Sequence, residues 1–188
     1  QAIERIAADS PSRDRYLAFA RDADQPETRA RMIGVAHAVG WLSAEQKRDE
    51  LVKMVGEMLA RKSVAGTEVG LACSLNKDKS LDGSLDKLAS VAAQTEHVGH
   101  SAILACMGSG EARTRALKGL VSRDEADVRI AQFYLRHRPI TDDNELREVT
   151  REIAGMSGAE AQARALDVLA RHYLSDRESV ETLTQLFA

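Results

Sequence analysis

His97 and His100 are the pair of residues whose spacing best suits metal chemistry in this sequence. They are three residues apart, with Glu96 beside them, and on a helix this spacing places both imidazoles on one face, as zinc sites require. A zinc site needs three or four ligands, however, and Cys106 would lie roughly two helical turns away. We therefore interpret both histidines as ordinary residues at the start of a helix.

Residues 76–86 form a polar connection that resembles a calcium-binding loop. Counted from Asp78, oxygen-bearing side chains occupy positions 1, 3, 5 and 9, and a glycine occupies position 6. Position 12, where such loops carry a bidentate glutamate, is Ala89, and neighbouring lysines would repel a cation. We interpret the segment as a turn in which Ser84 or Asp82 caps the next helix.

Three carboxylates and one serine are the remaining candidates for acid–base or nucleophilic chemistry. Asp142, Asp143 and Glu145 could exchange protons with a substrate, but acidic residues are also favoured in the first turn of a helix. Ser109 lies between two glycines without a preceding strand, so it is predicted to cap a helix. We predict no catalytic residue, no metal site and no cofactor.

The segments that carry these residues repeat with a period of about 33 residues. Leu-Ala-Cys at 71–73 recurs at 104–106, and Tyr-Leu-Arg-His at 134–137 is echoed by Leu-Ala-Arg-His at 169–172. One type of helix is therefore predicted to end near residues 41, 75, 107, 138 and 173. The histidine that closes each of the last two would complement the dipole at the helix C-terminus.

A second amphipathic helix is predicted between successive ends of this first type. Its apolar residues follow the i, i+3, i+4, i+7 spacing that places them on one face. Serines 43, 122, 157 and 175 are each followed three residues later by Gln or Glu, which predicts capping boxes. Gly108 and Gly155 are predicted to end helices in the left-handed conformation. The second helices are predicted over residues 43–62, 81–95, 111–122, 142–155 and 176–187.

These patterns predict an all-α protein, a right-handed α-solenoid of about five to six antiparallel helix pairs, in one domain over residues 1–188. Stacking is needed because one pair cannot bury its apolar stripe alone. A compact helix bundle is the alternative, and it should show no period. Because the chain begins at Gln1, we expect a fragment of a larger protein. The predicted pairs are 26–62, 63–95, 97–122, 124–155 and 157–187, after an irregular capping repeat at 1–22.

The hexapeptide at 126–131, Ala-Asp-Val-Arg-Ile-Ala, resembles the first-helix motif of HEAT repeats. Looser copies occur at 28–31 and 162–166, so the resemblance covers about residues 26–188. In that family the Asp caps the helix or bridges between units, and an Arg follows the Val. The resemblance implies a scaffold or adaptor. Some bacterial relatives are lyases or glycosylases of alkylated DNA, so an enzyme of this type is the alternative.

The composition disfavours three functional classes. A net charge of −3 and an aromatic content of 4% argue against a nucleic-acid binder, which normally offers basic and aromatic surfaces. No apolar run is long enough to cross a membrane. Trp41 is the only tryptophan, and its predicted place at a helix end supplies little to a small-molecule pocket.

Four basic residues on the later second helices form the predicted partner site. In HEAT-like stacks these helices line the concave face, and here they carry Arg113, Lys118, Arg147 and Arg151. Their positive charge favours an acidic protein or peptide as partner. We therefore predict a protein–protein interaction scaffold rather than an enzyme, with a nucleic-acid binder as a further alternative.

Cys73 and Cys106 are one period apart in apolar surroundings, and we interpret them as buried free thiols. A disulfide is the alternative. Facing helices lie about 8–10 Å apart, so two cysteines that face each other could come within bonding distance. A Cα separation above about 7 Å would forbid the bond. A disulfide would indicate an oxidising compartment. Otherwise the sequence does not fix the compartment and slightly favours the cytoplasm.

Overall fold

A computed structural model describes residues 10–86 and 97–173, and all regular secondary structure in these ranges is helical. The all-α prediction is therefore confirmed for this part of the chain. None of these helices is long and apolar enough to cross a membrane. The helices are α1 (Ser10–Arg21), α2 (Pro26–Ala38), α3 (Ala44–Leu59), α4 (Gly66–Leu75), α5 (Val98–Cys106), α6 (Gly110–Leu117), α7 (Glu125–His137), α8 (Asp143–Ala154) and α9 (Ala159–Tyr173), with a 3₁₀ turn at Lys118–Val121.

The period predicted from the sequence places the first-type helices well. Helices α2, α4, α5 and α7 end at residues 38, 75, 106 and 137, within three residues of the predicted ends. The helix predicted from residue 81 is wrong at its start, because residues 81–85 form turns and helical structure begins at Asp86. The structure does not describe the rest of this predicted helix, the predicted helix at 176–187 or the predicted cap at Ser175. It also does not describe the side chain of His172.

The starts of α3 and α6 follow the predicted capping chemistry. Ser43 accepts a hydrogen bond from the Gln46 amide at 3.1 Å, and the Gln46 side chain accepts one from the Ser43 amide at 2.9 Å. Ser109 caps α6 by accepting from the Ala112 amide at 3.3 Å. Each such bond satisfies an amide that has no partner within the helix.

The helix signals predicted at Ser122, Ser157 and Gly155 are wrong. Ser157 is not the residue directly before α9, because Gly158 lies between it and the first helical residue, Ala159. Ser122 does not cap α7, because Asp124 lies directly before the helix and accepts from the Ala126 amide at 2.8 Å. Gly155 is not left-handed, with φ at −79°, and the left-handed residue is Gly158, at φ +118° just before α9. Gly108, at φ +96°, is left-handed as predicted.

Contacts divide the chain into two compact units, residues 1–61 and 62–188. In the first unit α2 packs against both α1 and α3. Arg29 is only 6% exposed and forms an ion pair with Glu57 at 2.5 Å, which links α2 to α3. Tyr16 of α1 stacks edge-on against Trp41, with ring centroids 5.3 Å apart. The core side chains are Leu17, Ala20, Ile33, Ala36, Leu51, Met54, Val55 and Met58.

In the second unit α4 packs against both α5 and α7, and α5 also contacts α6 and α7. Two glycines of α4 permit the contact with α7. A Cβ at Gly66 would clash with the ring of Phe133, and one at Gly70 would lie 3.2 Å from Nε2 of His137. In a stack, each repeat contacts only its neighbours, whereas α4 and α7 belong to pairs predicted two apart. This contact departs from a simple stack of neighbouring pairs, so the structure does not confirm the solenoid arrangement.

Gly119, in the 3₁₀ turn, offers a direct test of this packing. A Cβ there would lie 2.7 Å from Cγ1 of Val98 and 2.9 Å from the carbonyl oxygen of Asp127. We expect Gly119→Ala to lower the free energy of unfolding by about 1–3 kcal/mol, because a helix backbone cannot move aside cheaply.

The matched control for Gly119→Ala is Gly110→Ala, at the first residue of α6. Among the described residues, apart from the adjacent backbone, no atom lies within 4 Å of the new Cβ. This change should leave stability unchanged or raise it by up to about 1 kcal/mol, because it restricts the unfolded chain. Urea denaturation of both variants measures the difference. Equal effects at the two positions would contradict the close packing at Gly119.

Candidate partner-binding site

Arg113, one of the four residues predicted to bind a partner, joins α6 to α7 and α8. Its Nε and Nη2 donate to the Glu145 carboxylate at 2.6 and 2.8 Å. Nη1 donates to the Tyr134 hydroxyl at 2.9 Å and to the Arg138 carbonyl at 3.1 Å, and Nη2 also donates to the Pro139 carbonyl at 3.2 Å. A guanidinium has five N–H donors, and all five of those of Arg113 are used in hydrogen bonds within the protein.

Arg113 is charged and Tyr134 is neutral at neutral pH. Burial of Arg113 opposes its charge, but hydrogen bonds and charge interactions with Glu145 and Tyr134 outweigh this and raise the pKa of the guanidinium. Tyr134 is 1% exposed. Burial raises the pKa of its hydroxyl, although the neighbouring Arg113 opposes the shift. A charged Arg113 beside a neutral Tyr134 therefore serves as a structural junction rather than as an acid–base pair.

An open groove of about 310 Å³ lies beside this junction, between α6 and α8. Helix α6 contributes Thr114 and the aliphatic side chain of Leu117, and α8 contributes Val149. The rest of the lining is polar and mainly acidic. It consists of Asp142, Asn144, Glu145, Glu148 and Glu152.

Two of the four carboxylates in the groove already have partners. Asp142 caps α8 by accepting from the amides of Asn144 and Glu145, both at 2.9 Å, which confirms the interpretation of this acidic segment as a helix start. Glu145 is paired with Arg113. Glu148 and Glu152, one turn apart on α8, are exposed and form no ion pair with a residue that the structure describes. The groove is therefore negatively charged.

The other three predicted contact residues are exposed but do not line the groove. Lys118 lies in the 3₁₀ turn, and Arg147 and Arg151 lie on α8. Each of these two arginines is followed directly by one of the exposed glutamates, Glu148 or Glu152. The exposed side of α8 thus carries both signs of charge, and the structure does not present the four basic residues as a set of free cations.

The histidine pair lies at the start of α5, as predicted. The rings of His97 and His100 are 5.4 Å apart, and His100 is 3% exposed. Cys106 is bonded to Cys73 in a disulfide and cannot act as a thiolate ligand. Within residues 10–86 and 97–173, no three side chains of His, Cys, Asp or Glu are grouped so that they could hold a metal ion.

Asn76 organises the polar connection that resembles a calcium loop. Its side chain is fully buried and donates to the Asp82 carboxylate at 2.6 Å and to the Cys106 carbonyl at 2.8 Å. It also accepts from the Leu81 amide at 2.7 Å. Asp78 accepts from the Ser80 amide and hydroxyl, so a turn forms as predicted. The helix cap predicted at residue 82 or 84 is wrong, because helical structure begins only at residue 86.

No protein-family model, curated protein or solved structure matches this chain.

Proposed function

We propose that this chain is a protein–protein interaction scaffold that binds a protein or peptide segment in the groove between α6 and α8. The lining of the groove carries the proposal. Leu117 and Val149, which are 5% and 7% exposed, form a small aliphatic floor beside the exposed carboxylates Glu148 and Glu152. A segment with apolar side chains and flanking lysines or arginines complements this surface, because opposite charges steer association and fix orientation.

The partner in this proposal is basic, in contrast to the acidic partner predicted from the sequence. That prediction counted Arg113 as a free cation, but its charge is paired with Glu145. The carboxylates of the groove would also repel the phosphates of a nucleic acid, which bind through lysine and arginine. A basic peptide therefore suits the groove better than an acidic peptide or a nucleic acid does.

For the scaffold itself, we propose the HEAT-like α-solenoid indicated by the sequence. One contact supports it. The Ser122 hydroxyl, in the pair predicted at 97–122, donates to Asp127 Oδ2 at 2.8 Å. Asp127 belongs to the motif at the start of the next pair, where the resemblance expects an aspartate that bridges between units.

Nuclear magnetic resonance titration tests the groove with defined probes. The ¹⁵N-labelled chain is titrated with a synthetic peptide of alternating leucine and lysine, and separately with its leucine–glutamate counterpart. We expect the basic peptide to shift the amide signals of Leu117, Glu148, Val149 and Glu152 in a saturable and salt-sensitive way. The acidic peptide should leave these signals unchanged.

Charge variants of α8 separate the groove from the basic residues on the same helix. Glu148→Lys/Glu152→Lys should weaken the binding of the basic peptide about tenfold or more. A tenfold change in affinity corresponds to about 1.4 kcal/mol. Arg147→Glu/Arg151→Glu should keep or strengthen its binding. If the acidic peptide binds instead and is lost in the arginine variant, the partner site is the one predicted from the sequence. Absence of saturable shifts with both peptides would overturn the proposal.

A further inference from the structure

The two cysteines of the sequence form a buried disulfide that joins α4 to α5. The earlier interpretation as free thiols is therefore wrong. Cys73 and Cys106 are 1% and 0% exposed, and their Cα atoms are 4.6 Å apart, inside the range that disulfides adopt. No other cysteine occurs in the 188 residues, so the pairing is unique within them and no third thiol of these residues can exchange with it.

Small buried residues lie within one helical turn of both cysteines in the sequence. They are Ala72 on α4 and Ala102 and Ala105 on α5. Their short side chains allow backbones to approach more closely than leucine or phenylalanine would. The resulting apolar interior also disfavours a thiolate, which is the species that attacks a disulfide.

A polar junction covers the same ends of α4 and α5. Asn76, three residues after Cys73, donates to the Cys106 carbonyl at 2.8 Å, and its own carbonyl accepts from Arg138 Nη2 at 2.5 Å. Asn76 is 0% exposed. A dissolved thiol could reach the disulfide only if these packed helix ends opened.

We infer that the Cys73–Cys106 disulfide is a permanent structural cross-link that is formed in an oxidising compartment. It is not a reversible switch, because redox-sensing disulfides are exposed or lie beside a resolving thiol. This disulfide is buried, and the 188 residues contain no third cysteine. Cytosolic proteins are normally kept reduced, so the chain resides outside the reducing cytosol. This replaces the slight preference for the cytoplasm drawn from the sequence, and it does not depend on the proposed partner groove.

The oxidation is a thiol–disulfide exchange with a protein oxidant that carries an exchangeable disulfide. The thiols of Cys73 and Cys106 give up two protons and two electrons, and a bond forms between their sulfur atoms. The disulfide of the oxidant breaks and takes up the same protons and electrons to become two thiols. Because both sulfur atoms are buried in the folded protein, this exchange precedes the closure of α4 against α5.

Thiol counting on the protein isolated from its own cells tests the inference first. Cells are quenched in acid, and the denatured protein is treated with a maleimide mass tag before and after reduction. We expect no tag before reduction and two tags after it. The variant Cys73→Ala/Cys106→Ala, which should take no tag in either case, controls the chemistry. Two tags before reduction would overturn the inference.

Two further measurements test whether the disulfide is permanent and whether the protein lies outside the cytosol. The folded protein in reduced glutathione should form thiols at least about a hundredfold more slowly than the denatured protein, because reduction requires local opening. Equal rates would show a reversible disulfide and overturn its permanence. Fractionation of the source cells should place the oxidised protein outside the cytosol. Recovery of the oxidised chain from the cytosol would overturn the assignment of compartment.

Discussion

Replacing both cysteines, as Cys73→Ala/Cys106→Ala, is expected to lower the free energy of unfolding of the second unit by about 3–4 kcal/mol. The two residues are 33 apart in sequence, and a cross-link over a loop of this length removes much of the conformational entropy of the unfolded chain. Urea denaturation, followed by circular dichroism, measures the change in midpoint and in slope.

Reduction of the unmodified protein provides the control for this prediction. Wild-type protein that is unfolded with reductant and then refolded in it should lose stability to a similar extent, without any change of sequence. A loss below about 1 kcal/mol in both experiments would mean that the packing of α4 against α5 alone holds these helix ends together. Loss only in the alanine variant would assign the effect to the missing sulfur atoms and not to the cross-link.

Arg113→Met is expected to lower the free energy of unfolding by about 2–3 kcal/mol. Methionine keeps the length of the side chain, but it leaves the Tyr134 hydroxyl without its donor and Glu145 without its counter-charge. Tyr134 is only 1% exposed, so solvent cannot replace its lost hydrogen bond. The Glu145 side chain is 26% exposed, so solvent can compensate it in part.

Arg147→Met is the matched control for Arg113→Met, because it removes the same charge from an exposed position on α8. It should change stability by no more than about 0.5 kcal/mol. Denaturation of both variants in urea, at low and high salt, gives the comparison. If the two variants lose the same free energy, Arg113 does not act as the junction between α6, α7 and α8.

Local patterns in the sequence were sufficient to locate most helices. The apolar spacing and the Ser43–Gln46 box act within one or two turns, and the structure shows both, with α3 starting directly after Ser43. The cap predicted at Ser122 was wrong, although it too is a local pattern. Asp124 is nearer to the helix start and offers a stronger acceptor. Residues 81–85 did not begin a helix, because the buried Asn76 side chain holds the Leu81 amide in a turn.

The site could be predicted only in part. The sequence pointed to α6 and α8, and the groove lies between them, but it treated Arg113 as a surface cation. The spacing of the apolar residues in α6 already argues against a surface position for Arg113. Arg113 lies one turn before Ala116 and Leu117, both buried, so the same apolar stripe places it towards the core. The identity of its partner was not available, since Glu145 is 32 residues away on another helix.

The sequence by itself determined that the described part of this protein is helical, roughly where most of its helices lie, and which face of many of them is apolar. These properties depend on residues within about four positions of one another, so periodicity and capping residues are enough to determine them. The tertiary structure alone decided that Cys73 bonds to Cys106, that Arg113 pairs with Glu145, and that the lining of the α6–α8 groove is mainly acidic. These contacts join residues far apart in the chain, and their formation depends on how closely whole helices pack.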